Sequence, residues 1–155
     1  MNTETIFKDI KMDWDDWYMK LATIVAAKSK DPSTKVGCVI VRRDNTIASV
    51  GYNGFPRDIE DTTERLNDRP TKYALTIHAE MNAIIAAREN LKGYKLYTTL
   101  LTCDRCFLHI IQAGIKHIVY PTPSAELEAR WHESFEKVRQ LADEADAFLQ
   151  KLDPK

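Results

Sequence analysis

Four residues have the types and spacing to build a catalytic metal centre. His78 and Glu80 stand in an H-A-E triplet, Cys103 and Cys106 in C-D-R-C, with twenty-two residues between the two motifs. Two thiolates and a neutral imidazole give Zn2+ three protein ligands. The fourth tetrahedral position is then left to water, as in a catalytic rather than a structural zinc site. Such a metal lowers the pKa of its water from about 16 towards about 7. Glu80, two residues from His78, can reach that water without ligating the metal, take its proton, and pass protons to a ring nitrogen and a leaving amine. Each motif alone is weak, because H-x-E arises often by chance and C-x-x-C also serves structural and redox sites. A structural zinc would require a fourth protein ligand. His109, three residues beyond Cys106, and His117 are the candidates, and spacing alone leaves that alternative open.

The elements around the motifs must bring them together. Each motif follows a strand or loop and opens a helix, so in an α/β fold both converge at the carboxyl edge of the sheet. Helix N-termini also favour the thiolate forms of Cys103 and Cys106. Periodicity predicts a first helix capped by Asp13 and ended by Asp31-Pro32, with Trp14, Trp17, Leu21, Ile24 and Val25 on one face. Trp14 and Trp17 are expected in the core or in a subunit contact. Val- and Ile-rich runs predict strands over 36–42 and 46–52 around a turn at 43–45, then a long loop over 53–73. A helix is expected over 79–88, burying Met81, Ile84 and Ile85, followed by a strand over 95–100. The helix over 104–113 is closed by Gly114, and the strand over 115–120 runs parallel to the one before it. The rest reads as one long amphipathic helix over 124–149, with Leu127, Trp131, Phe135, Val138, Leu141 and Phe148 on its apolar face. No glycine follows Gly114, so no turn into a further strand is visible. The expected fold class is α/β: a three-layer α/β/α sandwich with a mixed sheet of four to five strands and a long C-terminal helix, one domain over 1–155.

Composition narrows the function classes. With 155 residues, 44% hydrophobic and 29% charged, the chain has the mix of a soluble globular protein. No run approaches the roughly 20 apolar residues of a membrane span. The segment 1–14 lacks the apolar core of a secretory signal, so a cytoplasmic location is the expectation. A net charge of −1 speaks against a grip on long nucleic acid, which draws its affinity from phosphate neutralisation. The three cysteines argue against a disulfide framework, and Cys38, inside an apolar run, reads as a small buried hydrophobe.

The motifs extend beyond the four residues and resemble the cytidine and deoxycytidylate deaminase superfamily over about residues 14–120. Ser29 to Gly37 is similar to its S-K-D-P-x-x-x-V-G segment, Gly51 to Pro56 to its G-Y-N-G-x-P loop, His78 to Ile84 to H-A-E-x-N-A-I, and Ile111 to Ile115 to I-Q-A-G-I. Trp131 to Phe135 resembles a tail of bacterial and phage members. The zinc and glutamate arrangement is itself the signature of hydrolytic deamination. The resemblance implies conversion of dCMP to dUMP with a catalytic zinc held by His78, Cys103 and Cys106. Asn53 would bond sugar or base, the Ala79 N–H the pyrimidine O2, and the Leu101 carbonyl the reacting amine. Lys30, Lys35 and Arg57 are candidates for substrate or effector phosphate, though exposed cations are more often simply solvated. It also implies a homo-oligomer, commonly a hexamer, and regulation by dCTP and dTTP, with Mg2+ accompanying a triphosphate effector. Two departures stand out. Thr102 replaces the proline of P-C-x-x-C, which loosens the loop or adds a substrate contact, and no final strand is legible. Thr102 motivates one alternative, a deaminase of dCTP or of a 5-modified dCMP; Thr102 and the unusual tail together allow another, a catalytically silent, zinc-containing nucleotide-sensing subunit.

Overall fold

Five strands form one mixed sheet in the order β2-β1-β3-β4-β5: β1 (Gly37–Val41), β2 (Ile47–Tyr52), β3 (Lys95–Thr98), β4 (His117–Tyr120) and β5 (Phe148–Lys151). The computed structural model describes residues 12–154. Residues 1–11, which carry most of the segment read for a secretory signal, lie outside the described residues. β1 pairs antiparallel with β2 and β3, in registers that include Val39 with Val50 and Val39 with Tyr97. β3, β4 and β5 are mutually parallel, with Leu96 beside Ile118 and Ile118 beside Leu149.

Alternation along the strands sorts side chains into two cores. Cys38, Ile40, Leu96 and Ile118 face helices α4 (Ala79–Ala87), α5 (Asp104–Gln112) and α7 (His132–Glu144). Val39, Val41, Tyr97 and Val119 face Tyr18 and Ala22 of α1 (Trp14–Ala26). β1 is buried at every position because it is covered from both sides, which gives the expected three layers. Cys38 is fully buried, as its apolar surroundings suggest.

Asp13 caps α1, accepting from the Asp16 N–H at 2.9 Å. The helix ends at Ala26, five residues earlier than Asp31. The N–H groups of Ala27, Lys28 and Ser29 tighten back by three residues, and the Ser29 hydroxyl donates to the Asn53 carbonyl. The buried face is Tyr18, Ala22 and Ala26, not the tryptophan face. Trp14 and Trp17 are exposed and pack edge-to-face, with centroids 5.7 Å apart, so they are not core residues. The small face has a reason: a Cβ on Gly37 would lie 1.9 Å from the Ala22 carbonyl oxygen, so helix and strand backbones meet here directly.

Three further expectations are corrected. The long loop contains α2 (Thr63–Asn67) and α3 (Arg69–Leu75), capped by the Thr62 and Asp68 side chains. Pro70 sits in the first turn of α3, where a missing N–H costs nothing. In α4, Ile85 is exposed, and Ala79, Glu80 and Ala83 form the buried side. The long C-terminal helix is two helices, α6 (Ala125–Arg130) and α7, hinged at Trp131, whose φ of −112° and ψ of 18° leave helical geometry. The chain then turns at Asp146, φ 54°, with the Ala147 N–H on the Ala142 carbonyl, and enters β5. An aspartate thus takes the left-handed position usually held by glycine. Phe148 lies in that strand and is exposed, and the sheet has its fifth strand.

Candidate active site

The carboxyl ends of β2 and β3 lie at one edge of the sheet, because Tyr52 pairs with Gly37 and Thr98 with the adjacent Cys38. The loops leaving that edge carry Asn53 and the segment 99–103, and α4 starts beside them. His78 is the N-cap residue of α4 and uses no side-chain capping bond, so its ring is free to turn outward. Cys103 is the N-cap of α5, with Sγ accepting from the Cys106 N–H at 3.5 Å. The His78 Nδ1 lies 3.3 Å from Cys106 Sγ and 3.5 Å from Cys103 Sγ.

These separations fit a metal. Tetrahedral zinc with ordinary Zn–N and Zn–S lengths places such donors about 3.6 Å apart. The three donor atoms cluster within 4.8 Å, and no fourth His, Cys, Asp or Glu joins them among the described residues. His109 turns its Nδ1 to the Arg105 carbonyl, and His117 pairs through Nε2 with Gln150, so neither completes a structural site. As the side chains stand, the Cys103 thiol is pulled far down by hydrogen bonds from Cys106 and His78, while Cys106 is pushed up by donating to Cys103. A divalent cation would hold both sulfurs as thiolates.

Glu80 lies in the first turn of α4 and is 4% exposed. Burial pushes its carboxyl up, and neighbouring His78 opposes that shift. Thr102 is 1% exposed, and its hydroxyl donates to Glu80 Oε2 at 3.1 Å.

His78, Ala79, Glu80, Leu101 and Cys103 line a cavity of about 340 Å3, ample for a small ligand. Asn53 lines it too, but its amide already works for the fold. Its Oδ1 accepts from the Val36 N–H at 2.8 Å and its Nδ2 donates to the Thr34 carbonyl at 2.9 Å. One hydrogen and one lone pair remain for a ligand. Thr102 is not among the lining residues; its hydroxyl meets Glu80 instead.

The cations of the cavity are not the ones the sequence suggests. Lys35 and Arg57 are exposed and do not line it. Lys30 pairs with Asp61 at 2.8 Å on the surface, beside a separate cavity of about 120 Å3. Lys72 and Arg130 line the main cavity, with Tyr73, whose hydroxyl accepts from Arg130 at 3.3 Å. Lys72 is buried and pairs with Asp31 Oδ1 at 3.1 Å. No sequence signal marks it, because its burial follows from α3, which the loop composition hides. Arg130 sits in a helix that reads as part of a featureless amphipathic run.

A family model described as "Cytidine and deoxycytidylate deaminase zinc-binding region" matches residues 12–122. The chain is 36% identical over 132 residues to an uncharacterized deaminase in the luxG 3′ region of Aliivibrio fischeri, covering 85% of this chain and 88% of that one. It is 35% identical over 158 residues to the deoxycytidylate deaminase of Homo sapiens, covering 96% and 84%. Among solved structures, the dCMP deaminase of cyanophage S-TIM5 in complex with dCMP and dUMP aligns with a TM-score of 0.70 at 25% identity, over 98% of this chain and 99% of that one.

Proposed function

The chain belongs to the cytidine and deoxycytidylate deaminase family, and from that membership we propose that it hydrolyses dCMP to dUMP and ammonia. The observation that carries this reading is the composition of one cavity. It joins the His78 and Cys103 donors, the buried Glu80 carboxylate and the buried Lys72 ammonium.

His78, Cys103 and Cys106 would hold zinc, which when bound supplies a water acidic enough to attack near neutral pH. Glu80 takes one proton from the attacking water and hands it to the pyrimidine N3, then carries the second water proton, from the new C4 hydroxyl, to the amine as the C4–N bond breaks. Burial raises its carboxyl, which strengthens it as the base for that water. The Ala79 N–H would bond the pyrimidine O2, the Leu101 carbonyl the amine, and the spare Asn53 groups the sugar. Lys72 and Arg130 replace Lys30, Lys35 and Arg57 as candidates for the substrate phosphate, since they line the cavity. Lys30, beside the second cavity, then remains a candidate for an effector triphosphate and its Mg2+. dCTP and dTTP regulation and assembly into a hexamer complete the proposal. The exposed Trp14 and Trp17 support the assembly. The described residues contain no helix long and apolar enough to cross a membrane, in keeping with a cytoplasmic enzyme.

Incubation of the zinc-loaded protein with dCMP, with and without dCTP, should yield dUMP. Glu80→Ala should keep its zinc and its fold and lose turnover by a factor of about 100 or more. A wild-type protein that binds zinc and never forms dUMP under either condition refutes the reading and leaves a deaminase of another cytosine nucleotide or a silent, nucleotide-sensing subunit. dCTP and 5-modified dCMP belong in the same panel. Thr102, their motivation, does not line the cavity.

A further inference from the structure

We propose that Thr102 is a positioning residue for the proton-carrying carboxylate. Its hydroxyl fixes one oxygen of Glu80 so that the other is aimed at the reacting atoms. The inference rests on the deaminase reading above. Four observations carry it. Both side chains are buried, at 1% and 4% exposure, so water does not compete for the bond. The Thr102 Oγ1 lies 3.1 Å from Glu80 Oε2 and 3.4 Å from the Cys103 carbonyl. A hydroxyl has one hydrogen, and the nearer acceptor, Glu80 Oε2, takes it. Glu80 lines the cavity and Thr102 does not, so the hydroxyl acts from behind the carboxylate rather than on the substrate. The backbone around it is also fixed, because the next residue, Cys103, caps α5.

A carboxylate on a flexible side chain loses reaction rate when it samples orientations away from the proton it must take. The one hydrogen bond from Thr102 restricts that freedom without changing what the cavity offers the substrate. Thr102 also occupies the position at which the chain departs from P-C-x-x-C. Proline there would have no donor to offer.

The test compares Thr102→Val and Thr102→Ser in the zinc-loaded protein with dCMP. Valine removes the hydroxyl and keeps the branched shape; serine keeps the hydroxyl and drops the methyl. T102V should lower kcat about tenfold, with KM within about twofold of wild type and zinc content unchanged, because the lost bond runs to Glu80 and not to a metal-donor atom or to the substrate. T102S should recover most of kcat. Equal kcat in T102V and wild type overturns the proposal. So does a rise in KM at constant kcat, or a loss in T102S as large as in T102V, which would make the methyl group the operative part. A second measurement does not depend on turnover. Urea unfolding of wild type, T102V, E80A and the double variant should give midpoint shifts that do not add, since the pair is in contact. Additive shifts refute the bond whether or not dCMP proves to be the substrate. Absence of dUMP from wild type, with non-additive shifts, would instead count against the function alone.

Discussion

Residues that ligate or transfer protons announce themselves by spacing. Those that bind through burial do not. His78, Cys103 and Cys106, the proposed zinc ligands, and Glu80, the proposed proton carrier, are legible because such a centre needs particular atoms at particular offsets from two helix starts. Lys72 is an ordinary lysine in the sequence and becomes notable only when α3 tucks it against Asp31. That pair makes a prediction. Lys72→Met keeps the aliphatic stem and removes the ammonium. If Lys72 meets the substrate phosphate, KM for dCMP should rise about tenfold or more, while binding of deoxycytidine, which has no phosphate, stays level. Equal losses for both substrates would make the pair purely architectural. Removing one partner of a buried pair should also cost about 3 kcal/mol in urea unfolding. That is the low end for such pairs, because Asp31 keeps its bonds from the Ser33 and Thr34 N–H groups. Asp31 has a pH signature too. Burial would raise its carboxyl, but the Thr34 and Ser33 N–H groups and the Lys72 ammonium outweigh it and hold the carboxyl below its ordinary 3.8. A depressed folded value means that the contribution is fully present above pH 3.8 and is lost as pH falls below it. Acid titration of stability should therefore be shallower through pH 4 to 2 in K72M than in wild type; identical slopes would show that Lys72 does not hold the carboxylate down.

At the scale of elements, the sequence is most readable where periodicity and capping agree. The Asp13 start of α1, the Gly114 end of α5 and the parallel β3–β4 unit all follow from local rules. α2 and α3 escape because each is short, and Pro70 reads as a breaker unless Asp68 is recognised as the cap before it. β5 escapes because Asp146 adopts a conformation that sequence patterns reserve for glycine. The approach of helices to strands is hidden in the same way. A Cβ on Gly51 of β2 would lie 2.4 Å from the Ala79 carbonyl oxygen and 2.4 Å from the Ala83 nitrogen, so α4 sits directly on the strand. That contact sets the height of His78 and Glu80 above the sheet edge. Gly51→Ala should push α4 outward, weaken zinc binding by about tenfold or more, and cost about 1–3 kcal/mol as an overpacked site. Competition with a zinc chelator and urea unfolding read the two effects. A variant destabilised yet unchanged in zinc affinity would detach the helix position from the metal centre.

For the molecule as a whole, the proposed zinc would join segments that the chain keeps apart. His78 is separated from Cys103 by 25 positions and from Cys106 by 28. The starts of α4 and α5 stand over the same face of the sheet, and the large core beneath them includes Ala79, Ala83, Cys106 and Phe107. With that core and the smaller one under α1, the fold should persist when the metal is removed, unlike a zinc finger. Zinc should therefore add to stability without creating it. A ligand present at 1,000 times its dissociation constant adds about 4 kcal/mol. For a chain of this size that corresponds to roughly 10 °C in the unfolding midpoint. Chelation should lower the wild-type midpoint by that amount, and restored zinc should return it. E80A should show the same drop, because Glu80 is not counted among the ligands. His78→Ala and Cys103→Ala should start near the chelated midpoint and respond little to either treatment. A full zinc response in Cys103→Ala would assign the metal elsewhere. A missing response in E80A would make the glutamate a ligand rather than a proton carrier, and the free coordination position on which hydrolysis depends would then be taken by the protein itself.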